Sequence, residues 1–151
     1  MKKVLAVVIS IFVMSCLTPS YAVEASNGIR LDDSLRLEHM VITLVMPEVE
    51  RAVKAFYAPY LTITPNVVSY LETSILNIKG GEDIHTGGPN ATTYTVMVEV
   101  FPYVGPHDAV GKDHITLEID PVGTVTLKGF KHIESYELPW NLKSLVKKPL
   151  P

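Results

Sequence analysis

Between residues 91 and 132, apolar side chains fall at every second position in three successive runs, with turn residues between the runs. Tyr94, Val96, Val98 and Val100 alternate with Thr95, Met97, Glu99 and Phe101; Ile115, Leu117 and Ile119 alternate with His114, Thr116 and Glu118; Val125 and Leu127 alternate with Thr124, Thr126 and Lys128. This is the period of half-buried antiparallel strands, whose side chains point to opposite faces in turn. An apolar face needs a cover, and residues 35–57 carry the only long helical pattern. Leu37, Met40, Val41, Leu44 and Val45 fall at helical spacing, and Val49, Val53 and Phe56 resume it in phase beyond Pro47. Asp32, Asp33 and Ser34 offer capping oxygens and negative charge at the positive end of the helix. A proline inside a helix lacks a donor and clashes with the preceding turn, which predicts two helical segments or one helix kinked at Pro47, ending before Pro59. Glu50, four residues before Lys54, is placed for a surface ion pair.

Residues 67–78 are a further extended run with blurred parity, which a bulge near Thr73 or Ser74 would restore. Residues 80–90 are rich in Gly, Asp and Asn and read as a hairpin tip. Pro102 and Gly105-Pro106 end the second strand, and Asp120-Pro121-Val122-Gly123 forms the turn into the fourth strand, where Gly129 permits a bend. Trp140, Leu142, Leu145 and Val146 fit one short amphipathic turn, and residues 147–151 read as a loose end. The expected fold is α+β: a kinked N-terminal helix on a four-stranded antiparallel sheet, cystatin-like in outline. The chain divides into residues 1–22, a flexible leader over 23–31, a single domain over 32–136 and a tail over 137–151.

The first 22 residues change the picture of where this domain works. Lys2 and Lys3 precede an apolar run over residues 4–14, too short for a permanent membrane helix and of signal-peptide length. Ser20 and Ala22 are small residues suited to cleavage after Ala22, so the protein reads as secreted or extracytoplasmic, with no stable transmembrane segment after cleavage. The alternative is lipid anchoring at Cys16 through Val13-Met14-Ser15-Cys16. Cleavage after Ala22 removes the one cysteine of the chain, which excludes disulfides, thiol catalysis and thiolate metal ligands. It also removes two of 13 basic residues against 16 acidic ones, taking the formal charge from −3 to −5. Without a basic stripe the chain has no nucleic-acid surface. Asn90-Ala91-Thr92 matches a glycosylation sequon by chance, given the bacterial character of the export signal.

Short signatures run in order along the chain: Asp33-Ser34-Leu35-Arg36-Leu37-Glu38, Met46-Pro47-Glu48-Val49, Ala55-Phe56-Tyr57, Val98-Glu99-Val100, Gly105-Pro106-His107, Ile115-Thr116-Leu117 and Phe130-Lys131-His132. On these, over residues 33–132, the sequence resembles the domain of unknown function 3888 family. The resemblance implies a small exported protein of a Gram-positive bacterium and lends no catalytic residue. The loop after Gly105-Pro106-His107, here Asp108-Ala109-Val110-Gly111-Lys112, departs from the proline-rich loop of the family.

The strongest candidate for chemistry is the group His107, Asp108, Asp113 and His114, where two imidazoles and two carboxylates could hold a divalent metal or relay a proton. Against it, Asp108 and Asp113 are ordinary turn formers and His114 has the polar parity of its strand. Residues 105–112 are no phosphate loop: the glycine spacing is wrong, and Asp113 stands where Ser or Thr should be. His39 beside Glu38 has no second histidine one turn away, and Ser34 and Ser69 lack a glycine elbow. Glu99 and Glu118 share a face but read as solvated positions, with Lys128 nearby. Met97, Phe101, Tyr103, Phe130 and Trp140 suggest an apolar patch on the face away from the helix, covered by the C-terminal tail or open to a partner. We assign no catalytic residue, cofactor or metal ligand from sequence. The expected role is non-enzymatic binding of an envelope protein or wall component; the alternative is a small metal-dependent enzyme or hydrolase using the His107 to His114 loop.

Overall fold

A computed structural model describes residues 31–69, 72–82 and 89–151. The signal expected over residues 1–22, the leader up to residue 30 and residues 83–88 of the hairpin tip expected over 80–90 lie outside the described residues, while 80–82 and 89–90 of that tip belong to strands. Helix α1 (Leu31–Tyr57) is continuous through Pro47, so the single helix, not the pair of segments, is what forms. Asp32 and Asp33 lie in its first turn and Lys54 in its last, each complementing the helix dipole. Arg51 pairs with Glu48 and Arg36 with Asp33, in place of the expected pair between Glu50 and Lys54.

Ile42, Val45, Met46, Val49, Ala52, Val53 and Tyr57 of α1 are buried. These positions follow one face of a 3.6-residue repeat. The face is narrower and shifted from the one expected: Leu37, Met40 and Leu44, read as core, are 48%, 66% and 49% exposed. The first turns of the helix, up to Met40, are largely exposed, and the helix is seated on the core from Val41 onward.

The sheet follows as β1 (Ser74–Glu82), β2 (Pro89–Val100), β5 (Gly111–Ile119) and β6 (Val125–Ser135), antiparallel in that spatial order. Between β2 and β5 the chain makes a two-residue hairpin of β3 (Tyr103–Val104) and β4 (Asp108–Ala109). The fold is therefore α+β, one helix against a four-stranded antiparallel sheet. Val96, Val98, Val100, Ile115 and Leu117 are buried, as the alternation requires. β1 begins later than expected, at Ser74, two residues after Glu72, which takes a left-handed conformation (φ 52°) that no strand continues through. Its bulge falls at Leu76, between Ile75 and Asn77. The turn after β5 closes on Asp120, whose Oδ1 accepts from the amides of Val122 (3.0 Å) and Thr124 (2.7 Å). Those bonds, the one from Thr124 first, hold its carboxyl below the usual range.

Two further bulges shape β6. Thr116 pairs with Gly129 but Leu117 with Leu127, leaving Lys128 unpaired; Lys112 pairs with Glu134 but Asp113 with His132, leaving Ile133 unpaired. Each extra residue reverses the facing of the residues beyond it. After the first bulge Phe130 turns toward the helix and stacks on Phe56 at 4.7 Å. It is therefore not part of an outer apolar patch.

The tail is not loose either. Leu138 is buried, Leu142, Leu145, Val146 and Leu150 pack against the core, and Leu61 forms a β-bridge with Val146. Lys147 donates its amide to Tyr60 O (2.7 Å) and its ammonium to Ala58 O (2.9 Å). The tail covers the end of the helix and the edge of the core, not the outer face of the sheet. Within the tail, Trp140 stands 87% exposed.

Candidate functional site

The four loop residues singled out from sequence do not converge. His107, with φ 76°, stacks on Tyr103 at 4.7 Å and is exposed; Asp108 lies in β4. Asp113 and His114 are neighbours on β5 and so point to opposite faces. Asp113 is fully buried, whereas His114 meets Glu99 on the outer face at 2.9 Å. Among the described residues no group of three or more His, Cys, Asp or Glu could hold a metal ion. A metal-dependent mechanism on this loop has no geometric basis, because strand alternation separates its ligands.

Other sequence candidates are also placed. Glu99 bonds His114 and lies 3.7 Å from Lys112, while Glu118 bonds Lys128 at 2.8 Å. The two glutamates stand opposite His114 and Thr95, four residues apart along the ladder, and form no carboxylate pair. His39 is exposed, and its carbonyl accepts from Thr43. Ser34 lies 23 residues before Tyr57 on the same helix, about 35 Å away along it. Ser69 lies in the segment before β1. On the outer sheet face Met97 and Phe101 are half-buried, with the Lys112 ammonium 5.1 Å from the Phe101 ring centre.

What the fold does assemble is a hydrogen-bonded line of side chains from α1, β5 and β6. The Tyr57 hydroxyl, on the last residue of the helix, donates to Asp113 Oδ2 at 3.0 Å. Asp113 Oδ1 lies 2.6 Å from His132 Nδ1, and His132 Nε2 lies 2.7 Å from Ser135 Oγ. Ser135 donates to the main-chain oxygen of Pro151 at 2.8 Å. Burial pushes the Asp113 carboxyl above its ordinary range, and the bonds from His132 and Tyr57 work against that rise. Burial, then the charge of Asp113, also raises the Tyr57 hydroxyl, which stays a neutral donor.

The bulge at Ile133 makes this line possible. In a regular strand, residues three apart face opposite ways; the unpaired Ile133 puts His132 and Ser135 on one side. Ser135 pairs with Gly111, and the missing side chain there leaves room for the imidazole. A Cβ on Gly111 would lie 2.6 Å from Glu134 O, 2.7 Å from Tyr57 Oη and 2.8 Å from His132 Cε1. Phe56 stacks on the other side of the imidazole at 5.0 Å. Ser135 opens onto a cavity of about 620 Å³ walled by Leu138, Val146, Pro149 and Leu150.

Sequence reasoning missed His132 and Ser135 and misjudged Asp113. One signal was present: Asp113 has the parity of Ile115 and Leu117, so a carboxylate was due on the dry face of a central strand, where it requires partners. The bulge that brings Ser135 round left no comparable trace.

A second surface stands apart. Between the first turns of α1 and β1, joined by the Ile75 amide donating to Glu38 Oε1 at 3.4 Å, a groove of about 380 Å³ is lined by Leu37, Val41, Ile75 and Ile78, with Ser34 and Glu38 beside them. Leu37 and Val41 continue it along the helix to Met40 and Leu44. No helix among the described residues is long and apolar enough to cross a membrane.

A family model described as "Protein of unknown function (DUF3888)" matches residues 37–134. No curated protein and no solved structure matches the chain.

Proposed function

The chain belongs to the DUF3888 family, and because that description assigns no activity, we propose a function from surface geometry: an exported module that binds an apolar segment of another envelope protein. The observation that carries this reading is the continuous apolar strip of Leu37, Met40, Leu44 and Ile78, each between 47% and 66% exposed. Exposed apolar residues scattered singly are ordinary; Leu37 and Ile78 line the groove between the helix and the edge strand, and Met40 and Leu44 extend it along the helix, which together mark a binding surface. Covering one such side chain is worth about 1.5–3 kcal/mol at full burial, so the strip can supply most of a modest affinity. Export is supported by the reading of residues 1–22 as a cleavable signal.

Photo-crosslinking from Met40 in the secreted protein tests the binding surface. We expect one adduct, lost in Ile78→Asp at unchanged melting temperature and not formed from a probe at Trp140. Failure to crosslink from Met40, or the same adduct from Trp140, rejects the surface. Intact mass of the secreted product tests export, and a product that starts at Val23 is expected.

A further inference from the structure

Three groups stand at the ends of β5 and β6 in the order that activates a hydroxyl nucleophile. Asp113 is wholly buried, His132 is 10% exposed at its side chain, and Ser135 is exposed at the mouth of the 620 Å³ cavity. The spacings of 2.6 Å and 2.7 Å are those of a carboxylate that orients an imidazole and an imidazole that reaches a serine hydroxyl. We propose that Ser135, His132 and Asp113 form an acyl-transfer site for neutral carboxylic esters with a short apolar acyl group.

The chemistry follows from the positions. Ser135 Oγ attacks the ester carbonyl carbon and forms a C–O bond, while its proton passes to His132 Nε2. The bond to the alcohol oxygen then breaks, and that oxygen takes the proton from His132. Water, activated by the same nitrogen, releases the acid and restores Ser135, so ester and water give acid and alcohol. Asp113 fixes the imidazole and faces its positive charge; Tyr57 holds the second carboxylate oxygen and is a positioning residue.

Substrate class follows from the cavity walls. Leu138, Val146, Pro149 and Leu150 suit an apolar acyl group. The lysines at its rim are already engaged: Lys143 bonds Glu137, which lines the same cavity, Lys147 bonds Ala58 O, and Lys148 lies 4.5 Å from the Tyr60 ring centre. No lysine there is held out for an anionic ester. In the resting arrangement the Ser135 proton is directed at Pro151 O, and the hydroxyl turns to His132 when the tail lifts.

Diisopropyl fluorophosphate is the probe, because it needs only an activated hydroxyl: Oγ–P forms, P–F breaks, fluoride leaves and the proton goes through His132 to water. The full chain and Leu150→Asp, which loosens the tail, are labelled and the adduct is located by peptide mass. The expected result is an adduct on Ser135 in at least one of the two forms, absent in Ser135→Ala and slowed at least about tenfold by His132→Gln at an unchanged melting temperature. No adduct on Ser135 in either form, or one that His132→Gln slows by less than about tenfold, overturns the proposal.

Discussion

Gly111 is the residue with the least room to change. A methyl group there meets a carbonyl, a buried hydroxyl and the His132 ring at 2.6–2.8 Å, and the carbonyl belongs to a paired strand that cannot move alone. Gly111→Ala should cost about 2–3 kcal/mol, in the upper range for overpacking, as read by urea denaturation. Tyr57→Phe removes a buried donor from Asp113 and should cost about 1–3 kcal/mol in the same measurement. Asp113 also makes stability depend on pH. Its folded-state pKa lies above the unfolded value, so the folded protein holds the proton more tightly, and the stability this group contributes falls as pH rises through that window. Asp113→Asn cannot lose a proton there. Its stability relative to wild type should therefore improve as pH rises above about 4, the reverse of what a salt-bridged surface aspartate would give.

At the scale of elements, Pro47 is the anomaly. It sits exposed inside a 27-residue helix, where it cannot donate to the carbonyl of Thr43. Pro47→Ala should raise stability by about 1–3 kcal/mol, seen as a higher melting temperature, since the helix already runs through this position. The sheet pattern was legible because alternation depends only on which side of a pleat is dry, and Val96, Val98, Ile115 and Leu117 obey it without exception. The helix was legible in existence and extent. Its face was not, because Leu37, Met40 and Leu44 satisfy helical spacing whether or not anything lies beneath them. The fourth strand was legible only up to Lys128. Bulges depend on pairing with a neighbour, so parity read along one strand fails at the first unpaired residue, and Phe130, His132 and Ser135 were lost for that reason.

For the whole molecule, stability rests on the layer between α1, the inner sheet face and the docked tail. Leu117→Asp or Val98→Asp places an unpaired carboxylate at a fully buried position, and either should abolish cooperative melting by circular dichroism. The single tryptophan will be a poor witness to that event: at 87% exposure, Trp140 already has solvent around it before unfolding. The unpaired Ile133 carries a sharper consequence. Deleting this one codon would restore simple two-residue rhythm to the end of β6 and leave Ser135 opposite Gly111, two residues after the imidazole and on the same side of the ribbon. Such a shortened chain would keep its hydrophobic interior and lose only the extra residue, so imidazole and hydroxyl would remain on one side with the local twist of the bulge gone.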